Sequence, residues 1–339
     1  MGMAEKDLKT CQSCRGKFSI DEEDRKFYAR INVPEPTFCP ECRAMRRYAF
    51  WNERHLFRKQ DARNGKQIFS TFSQASPVKI YEHDYWWSDK WDPMEYGREY
   101  DFSKPFFEQF RELALDVPRP SRSIKNPVRS DYCNQASDLK NCYLCFNGAL
   151  GENCLYGVAF QKMRNSADFY QCDDSELCYE IFSGAKNYEV FFAVESWNCR
   201  NSWFLMNCQD CSDCFGCVNL RHKQYHIWNV PHTKEEYEKK IKEFNLGSWK
   251  ALEEMKKKFA DFWTGFPMRY MHGGTHNVNV VGEYVYRSKN VRYSYQGLEM
   301  ENVRYSQSVV EAYNSWDYTS FGGNAELMYE DSSCGTDCL

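Results

Sequence analysis

Four cysteines near the amino terminus carry the clearest chemistry in the chain. Cys11-Gln-Ser-Cys14 is followed after 24 residues by Cys39-Pro-Glu-Cys42. Two Cys-x-x-Cys knuckles bring four thiolates to one tetrahedral centre, the ligand set that suits Zn²⁺. The rival reading, two separate redox pairs, lacks the strand-helix-strand setting that thioredoxin-like chemistry uses. Because all four positions are cysteine, none is left open for water, so one zinc ion with a structural role is expected.

The elements that must hold this site come next. The residues RAMRRYAFWNERHLFRK after Cys42 contain no Gly or Pro and read as a helix leaving the second knuckle, as in a treble clef or a zinc ribbon with an added helix. At about 100° per residue, Arg43, Arg47, Arg54 and Arg58 share a face, with Met45, Ala49 and Leu56 opposite. From Arg43 to Lys66 there are eight Lys and Arg against Glu53 and Asp61, in a chain whose net charge is −4. Guanidinium groups beside aromatic rings such as Trp51 and Phe57 suit phosphates and unstacked bases. Arg43, Arg47, Trp51, Arg54 and Arg58 are therefore the candidate nucleic-acid contacts, with RNA favoured and the ribosome included. The competing reading pairs the same arginines with acidic residues of the repeat region.

Behind this module lies an internal repeat. Asn followed by a small residue and then apolar or aromatic ones returns at 12-residue spacing at Asn141, Asn153 and Asn165. It returns again at Asn187 and Asn201, then at Asn290, Asn302, Asn314 and Asn324. Asn suits a corner and the Tyr, Phe, Leu, Val and Cys after it suit a half-buried strand. Two units would make a turn of roughly 22 to 24 residues, and such units gain a core only by stacking. The expected fold is mainly β, a parallel β-helix or solenoid. Antiparallel hairpins in a sandwich would ask for more Gly and more Asn-Gly or Asp-Gly turns between strands.

Residues 1–66 are read as the zinc-binding module with its basic helix, and 67–130 as an aromatic connector with a capping helix. In that helix Phe106, Phe107, Phe110 and Leu113 mark the apolar side, Ser103 serves as cap, and Pro118 and Pro120 close it. Residues 131–231 and 265–339 are read as two blocks of one array, split by a helical hairpin over 232–264. Thr233 and Glu236 form a capping box there, Gly247 ends the first helix, and Ser248 caps the second. The loop from His272 to His276 reads as a turn re-entering the array.

The wording FCPECRAMRR, WDPMEYGREYDF, FFEQF and FGCVNLRHKQYHIWN resembles a family of proteins predicted in candidate-phyla bacteria with reduced genomes. In that family a four-cysteine ribbon precedes arrays rich in Cys, Asn and aromatics. The resemblance covers most of the chain and implies the zinc module and the repeats, with no activity attached. The family's arrays often run further than CGTDCL, so a longer array beyond Leu339 is an expectation of the resemblance.

With 57 Phe, Trp and Tyr among 339 residues the chain can bury a large core. It has no apolar run near 18 residues, which argues against a membrane span. Its 17 cysteines read as reduced thiols and metal ligands in a cytoplasmic protein. Cys208, Cys211, Cys214 and Cys217 miss the spacing of an iron-sulfur run and fit core positions of the array. The acidic cluster Asp173, Asp174 and Glu176 reads as solvated loop rather than catalytic site. These readings converge on a non-enzymatic zinc-containing binding or scaffold protein with nucleic acid as first partner class and a protein along the solenoid as second. A polysaccharide-acting β-helix enzyme is the distant third.

Overall fold

Left-handed backbone recurs with a period of three. Every third residue from Gln135 to Trp228 has φ between 46° and 64°. Each such residue turns the chain, so corners come every three residues. Asn and Asp tolerate this conformation best, which accounts for Asn141, Asn153, Asn165 and Asp210. Leu144, Tyr156, Phe192, Phe204 and Trp228 occupy the same conformation, where it costs about 1 kcal/mol or more per residue. Their strain is offset by the pairing that the corners permit.

That pairing is parallel and has one register. Leu155 pairs with Ala167, Ala167 with Tyr179, Tyr179 with Phe191 and Tyr188 with Arg200, always 12 residues on. Each unit therefore pairs with the next one in sequence, and the turn of 22 to 24 residues expected from the repeat is replaced by a step of 12 with four corners.

Up to Cys217 the residue after each corner points inward. Cys133, Leu139, Cys142, Cys145, Cys154, Cys172, Cys178, Cys199, Cys208, Cys211, Cys214 and Cys217 all lie on this three-residue series and are buried. Where Ser stands inward it completes the backbone. The Ser166 hydroxyl donates to Arg164 O at 2.6 Å and accepts from Cys178 N at 3.0 Å, and Ser202 does the same between Arg200 O and Cys214 N. The thiols take over the donor half of that role, as in Cys178 to Glu176 O at 3.4 Å and Cys211 to Gln209 O at 3.2 Å. Size is matched along the stack as well. At Gly157 an added Cβ would stand 2.2 Å from the ring of Phe169, its partner in register.

The computed structural model describes residues 8–267, 272–274, 276–334 and 336–338. The protein is mainly β, with 43% of it in strands against 19% in helices. It divides into two compact units, Met1–Asn52 with Met268–Leu339, and Glu53–Pro267.

In the first unit an antiparallel hairpin, Leu8–Thr10 with Lys17–Ser19, precedes helix α1 (Glu22–Arg30) and helix α2 (Pro40–Tyr48). Asp21 and Asp24 close a capping box on α1. A five-stranded parallel sheet runs from Val278–Tyr286 to Tyr329–Ser332. Its three-residue corners continue from Tyr284 to Ser320. Asn279, Asn290, Asn302 and Asn314 pass hydrogen bonds down one corner at 3.0 to 3.1 Å, ending on the carboxylate of Glu326.

The second unit holds an antiparallel pair, Phe57–Gln60 with Gln67–Ser70, then helix α3 (His83–Trp86) and helix α4 (Phe106–Asp116). Its 11-stranded sheet runs from Ile124–Lys125 to Val230–Pro231, parallel except for the last pair. Helices α5 (Lys234–Glu243) and α6 (Trp249–Trp263) complete it, with the expected Thr233–Glu236 capping box and Ser248 cap.

Three expectations change here. The two repeat blocks form separate sheets in separate units rather than one array. Helix α4 starts at Pro105 without a side-chain cap, buries none of its residues and leaves Phe107 80% exposed, so it is not a cover for the first strands. Ser103 instead bonds Asp101. Helices α5 and α6 lie on the sheet, Phe259 and Tyr237 packing with Phe192, Phe204 and Phe215 in one buried cluster. Gly216 leaves room there for the Trp228 ring, which a Cβ would meet at 2.6 Å.

Candidate metal centre and the arginine face

The first knuckle sits in the turn of the amino-terminal hairpin. Cys11 N donates to Gly16 O at 2.9 Å, Arg15 N donates to Cys11 O at 3.1 Å, and Arg15 takes the left-handed conformation that reverses the chain. The second knuckle is built by a helix start. Cys39 is the N-cap of α2, Pro40 follows at the first helical position, and Cys42 lies one turn on. Proline is suited there because its fixed φ is helical and its missing N–H would have no helical partner.

The four sulfurs of Cys11, Cys14, Cys39 and Cys42 all lie within 4.8 Å of one another. Cys14 Sγ and Cys39 Sγ are 3.7 Å apart. A tetrahedron with metal–sulfur bonds of about 2.3 Å has edges of about 3.8 Å, so the donor set fits a single zinc-sized ion. Cys39 N donates to Cys11 Sγ at 3.2 Å. Burial acts to raise the Cys11 thiol, but the backbone N–H groups of Cys39, Cys14 and Ser13 bring it down to about 6. Burial keeps Cys39 and Cys42 above the usual thiol range. Among the described residues this is the one cluster of side chains gathered as metal ligands. Cys208, Cys211, Cys214 and Cys217 are instead buried inward positions whose thiols bond backbone carbonyls.

The arginine face is turned inside out. Helix α2 ends at Tyr48, so Arg43 and Arg47 do not share a helix with Arg54 and Arg58. Arg43 is 2% exposed and Arg47 4%, while Met45, expected on the apolar back, is 60% exposed. Arg43 Nε meets Asp317 Oδ2 at 2.9 Å and Arg47 Nη1 meets Asp317 Oδ1 at 3.2 Å. Arg43 also donates to Phe38 O, and Arg47 to Thr319 Oγ1 and Tyr305 O. Burial works against the charge on Arg43, and the Asp317 carboxylate outweighs it, holding the guanidinium above its ordinary value. Neither side chain is free to meet a phosphate.

Around that triad the four-cysteine module is seated on the five-stranded sheet. Arg304 Nη1 reaches Asp21 at 2.7 Å and Asp24 at 2.9 Å, Trp316 Nε1 donates to Asp24 at 2.8 Å, and Phe27 stacks on Trp316 with centroids 4.1 Å apart.

The other three candidate residues lie elsewhere. Trp51 is half-buried in the turn after α2. Arg54 is exposed, 3.8 Å from Glu53 and 5.6 Å from the centroid of Tyr170. Arg58 is exposed on the strand Phe57–Gln60, opposite Phe69. The signal for this hairpin was Asn64-Gly65, whose glycine has φ 73°.

The competing reading of the sequence, that these arginines pair with acids of the repeat region, names the class of partner but not Asp317. Its partners lie about 270 residues away in sequence, and no local pattern announces such a pair.

Of the loop from His272 to His276, residue 275 lies outside the described residues. Gly273 pairs in parallel with Val285, and His272 bonds Glu283 and stacks on Tyr284. The acidic cluster is spread along the strand Ala167–Glu176, where Glu176 accepts from Asn165 at 3.1 Å. No helix among the described residues is long and apolar enough to cross a membrane.

No protein-family model matches the chain, and a search of curated proteins finds no relative.

Proposed function

We propose that the protein is a non-enzymatic binding scaffold of the cytoplasm in which one structural Zn²⁺ on Cys11, Cys14, Cys39 and Cys42 rigidifies a module fixed to a β-solenoid of 12-residue turns. The observation that carries this reading is the clasp of Arg43 and Arg47 on Asp317, buried on all three sides. Such a clasp makes the zinc module a wall of the same body as the repeats. The parallel register of 12 supports the solenoid, and the closed set of four thiols supports a structural metal.

Nucleic acid remains the first partner class, although not through the face of α2. A cleft in the first unit, about 420 Å³, favours it: Lys26, Arg30, Arg292 and Arg304 line it, and of these Arg292 has no carboxylate partner among the described residues. A protein partner along the solenoid is the second reading.

The test is purification of the full chain under native conditions, with zinc content and the ratio of absorbance at 260 and 280 nm measured on one sample. One zinc per chain with bound nucleic acid supports the whole reading. Absence of zinc sinks the structural metal, and co-purified protein free of nucleic acid moves the partner to the second reading.

A further inference from the structure

The first unit contains a groove of about 790 Å³ beside that cleft. One wall is the zinc module, with Phe18, Ala44, Met45 and Tyr48, and the other is the sheet, with Tyr293, Tyr295 and Tyr305. Tyr293 and Tyr305 lie one 12-residue step apart and stack in parallel, centroids 5.6 Å apart and planes within 5°. Tyr293 and Tyr295 keep about half their surface in solvent, 51% and 50%.

Arg292 lines both volumes. It differs from its neighbours in being uncommitted. Arg304, its partner in register, is held by Asp21 and Asp24, and Arg30 reaches Glu326. Arg292 has no carboxylate partner among the described residues. Two of the groove's three acids are occupied, since Asp21 and Asp24 take Arg304 and Asp24 also accepts from Tyr305 and Trp316, and the third, Glu41, is exposed in the first turn of α2.

We propose that this groove holds one nucleotide of a single-stranded nucleic acid, its base against Tyr293 and Tyr295 and its phosphate on Arg292 where the groove meets the cationic cleft. The inference rests on the nucleic-acid reading above and gives it an address. Two features favour a strand over a neutral peptide. A base presents a flat face to half-exposed rings, and each such stack contributes on the order of 1–3 kcal/mol regardless of sequence. In the cleft that Arg292 shares, Lys26, Arg30 and Arg304 are each matched by carboxylates, so Arg292 is the guanidinium there left to meet an anion. Lys17, exposed at the groove, adds a further cation. A duplex is excluded by the same geometry, because its bases have no free face to offer the tyrosines.

The experiment measures binding of the full-length protein to fluorescent single-stranded RNA and DNA 12-mers of mixed sequence at two salt concentrations, with duplex DNA and a proline-rich peptide as competitors. Variants are Arg292→Ala, Arg292→Lys, Tyr293→Ala and the pair Arg54→Ala/Arg58→Ala, neither of which lines the groove, each with a melting curve. Single strands are expected to bind and duplex and peptide to compete poorly. Arg292→Ala should weaken binding roughly tenfold and reduce the salt slope by about one, Arg292→Lys should recover part of the loss, and Tyr293→Ala should weaken binding roughly tenfold with little change in slope. The Arg54→Ala/Arg58→Ala pair should bind as the parent protein does. If Arg292→Ala and Tyr293→Ala bind unchanged while that pair loses binding, the groove is wrong and the nucleic-acid reading stands. If the parent protein binds no strand at low salt, or the peptide displaces it, both fail.

Discussion

At the scale of the residue, two kinds of buried polar group hold the molecule, and each predicts its own response to substitution. Ser166 accepts from the buried N–H of Cys178, and its hydroxyl donates to Arg164 O, a carbonyl that also accepts from Leu177 N. Ser166→Ala should therefore cost about 2 kcal/mol in urea unfolding, while Ser166→Cys, which keeps a donor of similar size, should cost less. Equal losses for the two variants would refute the hydrogen-bonding account of the inward series. Asp317 is the second case. Asp317→Ala leaves two buried guanidinium groups uncompensated and should lower stability by about 4 kcal/mol. The double variant Arg43→Ala/Arg47→Ala should likewise melt well below the parent protein, and an unchanged melting temperature would return those arginines to a surface role.

At the scale of the element, helices α5 and α6 act as a lid over an aromatic surface. Phe204 and Phe215 are almost fully buried beneath them, in contact with Phe259, Phe244 and Trp228. The sequence suggests a plain amphipathic hairpin, but the face it covers cannot be left to water. Phe259→Ala should cost about 3 kcal/mol through loss of buried area and the cavity that remains. Removing residues 234–263 and rejoining the chain should give a protein that binds an apolar dye and unfolds at lower urea. A truncated protein as stable as the parent, with no dye binding, would show that the helices contribute nothing to that surface.

At the scale of the whole molecule, each unit has its own core. The inward series of Cys, Leu and Phe fills the second unit, and Val285, Val291, Val303 and Tyr318 fill the first. Only the first carries the four-cysteine centre. Calorimetry should accordingly resolve two transitions, and a strong zinc chelator should lower one of them and leave the other in place, because metal binding free energy is folding free energy for the unit that holds the site. A single transition that moves as a whole with chelator would contradict this.

What the sequence determined by itself is local. The knuckles at Cys11, Cys14, Cys39 and Cys42, the capped helices after Thr233 and Ser248, and the corner asparagines could be read because each is fixed by residues within a few positions of one another. The repeat was legible as well, but only one corner in four carries Asn dependably. The other corners hold residues as different as Asp, Glu, Lys, Gln, Ser, Leu, Tyr, Phe and Trp, the large apolar ones in a conformation their own preferences oppose, so the period of three was hidden and the turn was overestimated twofold. The face of α2 was decided by tertiary structure alone. Periodicity gives an arginine side and a methionine side, and solvent preference assigns the arginines outward. A single aspartate 274 positions from Arg43 reverses that assignment, because an ion pair completed by backbone carbonyls and a threonine hydroxyl makes the buried charge tolerable.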